Sequence, residues 1–256
     1  MKLHFISSEK PSAKLAYKTL TQLYTNYSLE NSDIIVALGG DGTMLHILHN
    51  VLEKEEYKGK KIFGLNRGSI GFLMNKYNIH NLEERISNAV CSKISPLRMT
   101  TQSETGENIS VLAVNEVSLF RQSHQAAKIS IFVNNKMHMK QLICDGVMLA
   151  TPIGSTAYNL SAHGVLLPTD SKLLALTPVS AFRPRRWTGA LLHDNTKVRF
   201  EILESHKRPV NVSADMREIK SISSINIEMA HELSAEILFD RDCDWNDRIL
   251  KEQFKH

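Results

Sequence analysis

Cysteine is scarce: three residues, Cys91, Cys144 and Cys243, in a chain of 256. They are an odd number, far apart, and at no spacing that suits a zinc site or a disulfide framework. A reducing cytoplasm is the compartment this usage predicts. Long apolar runs are missing too. Nowhere do 18 apolar residues follow one another, and the N-terminal "MKLHFISSEKPS" turns polar after a short apolar stretch. The expectation is a soluble chain, neither exported nor membrane-spanning. Charge of one sign is not concentrated: the net charge is only +4, and the densest basic cluster is "RPRR", Arg183 to Arg186. No nucleic-acid partner is expected from that distribution. There is no repeat at solenoid period and no low-complexity segment. Neither common phosphate loop occurs, since no GxxxxGK closes on serine or threonine and no GxGxxG spacing is found.

What is present begins with length, enough for one large domain or two modest ones with a real core. In the N-terminal part strands and helices alternate. "KLHFIS", "DIIVAL" and "KKIFGLN" read as strands, whereas "SAKLAYKTLTQLY", "TMLHILHNVLEK" and "NLEERISNAVC" have helical spacing, the last through Leu82, Ile86 and Ala89–Val90. The pattern predicts an α/β domain with a parallel, Rossmann-like sheet over residues 1–97. From Pro96 onward the texture changes to short alternating runs such as "ISVLAVNEVSLF", "KISIFV", "KMHMKQLIC", "VMLAT", "KVRFEIL", "VNVSAD", "SINIEMA" and "SAEILF". These predict a β-rich, sandwich-like domain over residues 98–239. Asn134-Asn135 reads as a tight hairpin turn, which makes Met137-His138-Met139 ordinary strand. The tail "DCDWNDRILKEQF" places Trp245, Ile249 and Leu250 on one helical face, with Asp244 as N-cap. His46 and His49 lie three apart on a predicted helix without an evident third ligand, and read as surface or packing residues.

Three glycines, Gly39, Gly40 and Gly42, follow an apolar strand and precede a helix, in "DIIVALGGDGTMLHILHN". A parallel sheet binds ligands at the carboxyl ends of its strands, and helix amides favour anions there. The carboxylate of Asp41 in the middle opposes a plain phosphate cradle. Two unit charges about 4 Å apart repel by about 4 kcal/mol at an effective dielectric of about 20. Two tasks would compensate: holding a divalent cation that bridges to phosphate, or accepting the proton of an attacking hydroxyl. The plainer alternative is a turn in which Asp41 caps a helix starting near Thr43.

"GGDGT" resembles the signature of the superfamily of NAD kinases, diacylglycerol kinases and 6-phosphofructokinases. "VNEVSL" (Val114 to Leu119), "CDGVMLATPIGSTAYNLSAHG" (Cys144 to Gly164) and "LTPVSAFRP" (Leu176 to Pro184) resemble, in that order, further motifs of bacterial NAD kinases. The resemblance covers nearly the whole chain. It implies transfer of the γ-phosphate of ATP, with magnesium, to the 2′-hydroxyl of the adenosine ribose of NAD, giving NADP. It also implies an α/β domain rejoined by the last helix, residues 240–256, a β-rich NAD-binding domain, and a homodimer or homotetramer.

By the same resemblance Asp41 is the general base, and Gly39, Gly40, Gly42 and Thr43 belong to the nucleotide loop. Phe72, in "NRGSIGFLMN", lies near adenine. Asn115 and Glu116 bind the adenosine half. As neighbours within a strand they would point to opposite faces, so only one could face a ligand unless the strand bulges. Thr156, Ala157 and Tyr158 surround the adenine, and Ser155 counts among the binding residues, Ser155 and Thr156 also being good caps for a short helix. Ser161 lies farther along the dinucleotide, and Asp145 contacts the nicotinamide side, across a subunit boundary. Magnesium is expected to be held mainly by phosphates. The sequence departs from the family pattern at Ile153, His163 and Met216, and in the short "SAFRPRRW" stretch, which leaves the roles of Asp215, Arg183 and Arg185 open. The rival readings are a non-catalytic NAD or NADP sensor and a lipid or sugar kinase of the same superfamily.

Overall fold

The structure, a computed structural model, describes residues 1–68, 71–102, 106–241, 249–250 and 254. In chain order its strands are β1 Leu3–Ser7, β2 Ile34–Gly39, β3 Lys61–Asn66, β4 Val90–Ile94, β5 Leu97–Gln102, β6 Asn108–Ala113, β7 Glu116–Arg121, β8 Ala127–Val133, β9 Lys136–Cys144, β10 Gly146–Ala150, β11 Leu173–Val179, β12 Ala190–His193, β13 Val198–Ile202, β14 Val210–Ala214, β15 Arg217–Ile219, β16 Ser224–Met229 and β17 Ala235–Phe239. The helices are α1 Pro11–Leu23, α2 Asp41–Glu53, α3 Leu82–Ser87 and α4 Tyr158–Ser161. Residues 1–94 and 233–256 belong to one unit and residues 95–232 to another.

The first unit is built on a sheet in the order β1-β2-β3-β17-β4. β2 is buried along its whole length, as a strand covered on both faces must be. Its alternate residues Ile34, Val36 and Leu38 cluster with Ala13, Ala16 and Leu20 of α1. Successive side chains point to opposite faces, so Ile35 and Ala37 face the other way, and α2 packs on β2 as well. Pairing of β1, β2 and β3 is parallel, with Ser7 opposite Leu38 and Gly39 opposite Asn66. Their carboxyl ends therefore lie side by side, at the edge from which α2 departs.

Three expectations need correction here. The third helix is short, and Val90–Ile94 forms a strand antiparallel to β17, so the sheet is mixed. β-Branched residues and a partner edge outweigh the helical spacing that ended on Val90. The run "SAEILF" was assigned to the β-rich domain, yet β17 pairs parallel with β3 in the first sheet. Alternation identifies a strand but not the sheet that recruits it. The second unit thus ends before residue 239, and the return to the first unit starts with a strand.

The second unit has two six-stranded sheets, β12-β11-β10-β7-β14-β15 and β6-β5-β16-β13-β8-β9. One buried cluster takes Val117, Leu119, Val147 and Val212 from the first and Met99, Ile129, Phe200 and Ile225 from the second, the core of a β-sandwich. Asn134 and Asn135 have φ of 50° and 64°, and Val133 pairs with Lys136, the two-residue turn predicted. β5, β11, β12 and β15 lie outside the alternating runs of the sequence. His49 is buried and His46 exposed. Ile249 is buried and Leu250 exposed, whereas Cys243, Asp244 and Trp245 lie outside the described residues. Among the described residues no helix is long and apolar enough to cross a membrane.

Candidate active site

In the first unit the glycine loop connects β2 to α2, and Gly40, not Asp41, occupies the N-cap position, with no side-chain cap bond. The reading of Asp41 as the cap of its own helix is therefore wrong. Its carboxylate reaches across the chain instead. The amide of Phe72 donates to Oδ2 at 2.8 Å and the amide of Leu73 to Oδ1 at 2.9 Å. Hydrogen bonds to a charged group contribute about 1.5–3 kcal/mol each, so the two fix the orientation of the carboxylate. Gly71 makes this possible: a Cβ there would lie 2.8 Å from Asp41 Oδ1.

The 71–75 segment is itself tied down by Asn75, which is fully buried. Its Nδ2 donates to the Leu238 carbonyl at 3.0 Å, and its Oδ1 accepts the Asp240 amide at 2.9 Å. Its own amide donates to the Gly64 carbonyl and its carbonyl accepts from Asn66. The chain of support runs from β3 and β17 through Asn75 to the amides that hold Asp41. Asn75 was not singled out in the sequence, because its partners lie 163 and 165 residues away. Arg67 closes the same edge, its amide donating to the Gly39 carbonyl at 2.6 Å. Phe72, chosen for its ring, contributes its main chain to Asp41.

In the second unit Val114 and Asn115 form a bend between β6 and β7, so Asn115 and Glu116 do not share a strand interior. Asp215, in the two-residue turn between β14 and β15, holds that bend. Its Oδ2 accepts the Val114 amide at 2.6 Å, and its Oδ1 accepts those of Asn115 at 2.9 Å and Glu116 at 3.2 Å. A left-handed backbone, φ 50°, lets Asp215 turn its side chain back in this way. The carbonyls of the bend go to Thr151, whose hydroxyl donates to Val114 at 2.7 Å and whose amide donates to Asn115 at 2.9 Å. Gly154 lies so close that a Cβ would come 1.9 Å from the Asn115 carbonyl oxygen.

Glu116, Ser118 and Phe120 alternate on one face of β7. The Phe120 and Tyr158 rings are 5.5 Å apart. Burial, and then the charge of Asp215, push the Glu116 carboxyl up to about 8, and its Oε2 is buried without a hydrogen-bond partner. Burial, then Glu116, also raise the Tyr158 phenol.

Gly154–Thr156 is a 3-10 turn, and neither hydroxyl caps α4. Ser155 is fully buried, its hydroxyl donating to Pro152 O at 2.5 Å and accepting the Leu167 amide at 3.0 Å. Thr156 donates back to Ile153 O at 2.9 Å. Both hydroxyls shape the turn. Asn159, missed in the sequence, is fully buried and bonds Ser155 O, Val165 O and the Thr177 hydroxyl. Ala157 joins the turn to α4, Tyr158 opens α4 and exposed Ser161 ends it.

Within the chain Asp145 lies at the far end of β7 from Glu116. It precedes β10 at the end where Gly146 pairs with Phe120, whereas Ala150 pairs with Glu116; five residues of strand separate them, about 17 Å at 3.4 Å per residue. It is paired with Arg121 at 2.6 Å. Arg183 and Arg185 lie over the exposed Phe182 ring, at 5.5 and 5.1 Å. Among the described residues no three His, Cys, Asp or Glu side chains gather around a metal position.

The family models described as ATP-NAD kinase N-terminal domain and ATP-NAD kinase C-terminal domain match residues 3–94 and 114–232. The chain is 52% identical over 254 residues to a protein named NAD kinase from Brucella suis biovar 1, with 99% of this chain and 97% of that one covered. It is 47% identical over 253 residues to one of the same name from Caulobacter vibrioides, covering 99% and 96%. Its fold is similar to the crystal structure of yeast NADH kinase complexed with NADH, with TM-score 0.81, 19% identity and coverage of 98% and 86%. The structure of an NAD kinase from Archaeoglobus fulgidus in complex with ATP gives TM-score 0.76, 23% identity and coverage of 98% and 99%. Models that match both halves, and relatives about half identical over nearly the whole length, agree with the motifs and the fold: the chain belongs to the NAD kinase family.

Proposed function

We propose that this chain is an NAD kinase, which transfers the γ-phosphate of ATP to the 2′-hydroxyl of the adenosine ribose of NAD and releases NADP and ADP. The observation that carries the reading is Asp41 itself: an acidic residue at the head of the helix that leaves a parallel strand, its carboxylate oriented by two amides from a separate loop. A carboxylate has about four lone-pair sites, so oxygens that each accept an amide can still accept a hydroxyl.

In this reading Asp41 takes the proton of the 2′-hydroxyl as its oxygen bonds to the γ-phosphorus and the bond to the ADP oxygen breaks. General-base help of this kind contributes about 10² to 10⁴ in rate. Gly39, Gly40, Gly42 and Thr43 form the phosphate edge. Gly42 supports this, because a Cβ there would meet nothing within 4 Å among the described residues, and its bareness leaves room for phosphate. Asn115 and Glu116 bind the adenosine half. Thr156, Ala157 and Tyr158 line the adenine, with Ser155 shaping the turn that presents them. Ser161 and Asp145 serve the remainder of the dinucleotide, Asp145 from a neighbouring copy in a homodimer or homotetramer. Magnesium brought with ATP would neutralise phosphate charge, and it demands few protein ligands because phosphate oxygens and water complete its shell. The setting is a reducing cytoplasm.

The test is NADP formation by the wild type and Asp41→Asn, with magnesium-ATP and polyphosphate compared as donors. Turnover lowered by at least about 10² in the variant is expected. An Asp41→Asn protein with near-normal turnover overturns the base assignment, and absence of NADP in the wild type leaves a sensor or a lipid or sugar kinase of the same superfamily.

A further inference from the structure

Of the carboxyl groups Asp41, Glu116 and Asp215, two, Asp41 and Asp215, accept main-chain amides. Glu116 is different. Its Oε2 is buried and has no hydrogen-bond partner, yet its own main chain is held firmly. The Glu116 amide donates to Asp215 Oδ1, and its carbonyl accepts the Asp215 amide at 3.1 Å. A buried polar oxygen left without a partner is expensive unless a ligand completes it.

The titratable groups that act on Glu116 can be named element by element. The turn between β14 and β15 contributes the Asp215 carboxylate, and the Tyr158 phenol of α4 is itself raised by burial and then by Glu116. The neighbouring strand β10 places Ala150 opposite, which carries no charge. A negative charge beside a buried carboxyl favours its neutral form. The neutral form is also the one that can donate a hydrogen bond, since an ionised carboxylate only accepts.

We propose that Asp215 is a positioning residue with two linked effects: by gathering the amides of Val114, Asn115 and Glu116 it builds the bend, and it sets its own charge beside the buried Glu116 carboxyl, so that Glu116 meets the adenosine end of the dinucleotide as a hydrogen-bond donor. This rests on the reading that Asn115 and Glu116 meet the adenosine half of NAD. A binding-competent form present in only a fraction of molecules weakens apparent affinity by that fraction. With the Glu116 carboxyl near 8, the protonated fraction falls about tenfold between pH 7 and pH 9, and apparent NAD affinity should fall by about the same factor.

The experiment is the KM for NAD, and the NAD dissociation constant by calorimetry, across pH 6.5–9.5 for the full chain. Wild type, Glu116→Gln and Asp215→Asn are compared, with folding checked by circular dichroism. In the wild type KM should rise about tenfold from pH 7 to 9 while kcat follows a different profile. Glu116→Gln cannot ionise, so whatever its baseline its KM should be level over that range. Asp215→Asn removes the neighbouring charge, so the rise should begin at lower pH, a displacement that a merely structural defect would not cause. A wild-type KM level from pH 7 to 9, a rise that persists in Glu116→Gln, or an unmoved inflection in a folded Asp215→Asn would each overturn the inference. If Asp215→Asn does not fold, the wild-type and Glu116→Gln profiles still decide. NADP formed with the wrong pH profile refutes this inference alone, whereas no NADP at any pH refutes the kinase reading beneath it.

Discussion

Replacing Glu116 by glutamine should make the folded chain more stable at alkaline pH and change it far less at acid pH. The ordinary glutamate value is 4.5, and burial with the Asp215 charge raises Glu116 to about 8 in the fold. Below pH 4.5 the carboxyl is neutral in both folded and unfolded chains, so no penalty exists. Between 4.5 and 8 the unfolded chain ionises while the folded one holds its proton, and stability falls as pH rises. Each pH unit is worth about 1.4 kcal/mol, so the loss reaches about 3 kcal/mol at pH 7 and on the order of 5 kcal/mol above pH 8. That is a large share of the 5–15 kcal/mol typical of a domain. Glutamine removes the penalty because it has no proton to lose. Urea denaturation at pH 5, 7 and 9, followed by circular dichroism, measures the difference between variant and wild type. A difference that is the same at pH 5 and pH 9 would refute the placement of a neutral, buried carboxyl at this position.

Five further substitutions have expected outcomes. Asp41→Asn should lower kcat by about 10² to 10⁴ and destabilise the loop by about 1–3 kcal/mol, because its NH₂ faces one of the two amides that the carboxylate accepted; kinetics and thermal denaturation check the two effects. Gly71→Ala should reduce kcat by on the order of 10²-fold, since its Cβ would lie 2.8 Å from Asp41 Oδ1, and an unchanged kcat would show that the carboxylate position is not critical. Gly42→Ala should hold or gain up to about 1 kcal/mol in stability while raising the KM for ATP. Gly39→Ala should unfold the loop, because its Cβ would fall 2.2 Å from Thr43 Oγ1; equal behaviour of the two in a melting experiment would contradict the contrast. Asn75→Leu leaves the Leu238 carbonyl and the Asp240 amide without their buried partners, so a loss of about 2–6 kcal/mol should appear in chemical denaturation, with a fall in kcat as Asp41 loses its frame.

Much of this was legible from periodicity. The first three strands, the helices beginning at Pro11 and Asp41, and the Asn134-Asn135 turn all follow from local spacing and turn chemistry. The sandwich followed from two-residue alternation. What failed was what depends on partners distant in the chain. Val90–Ile94 is a strand because the edge of β17 is available to it, and β17 joins the first sheet because β3 offers a parallel edge; neither partner is visible in either segment alone. The site divides in the same way. The glycines and the acidic side chains stand out by residue type, but Asn75 and Asp215 act through amides between 99 and 165 residues away. Thr151 and Asn159 also went unread, because a threonine within a strand end and an asparagine within a short helix have no signature for the carbonyls they bond.

The three carboxyl groups show how one side-chain chemistry is given separate tasks by the main chain around it. Asp41 and Asp215 each face amide donors, which hold a charged carboxylate in a fixed orientation. Glu116 has its main chain in that same network but its Oε2 outside it, and it lies where burial and a neighbouring charge act together. Moving the donors would exchange the tasks. A loop that offered amides to Glu116 would make it an acceptor with no proton to give, and a loop withdrawn from Asp41 would leave a mobile charge beside phosphate. The sequence specifies which residues are acidic. Asn75, Gly71, Thr151 and Gly154 determine which amides and carbonyls each one meets, and mutation of these supporting residues should alter the chemistry of carboxyl groups that the mutation leaves in place.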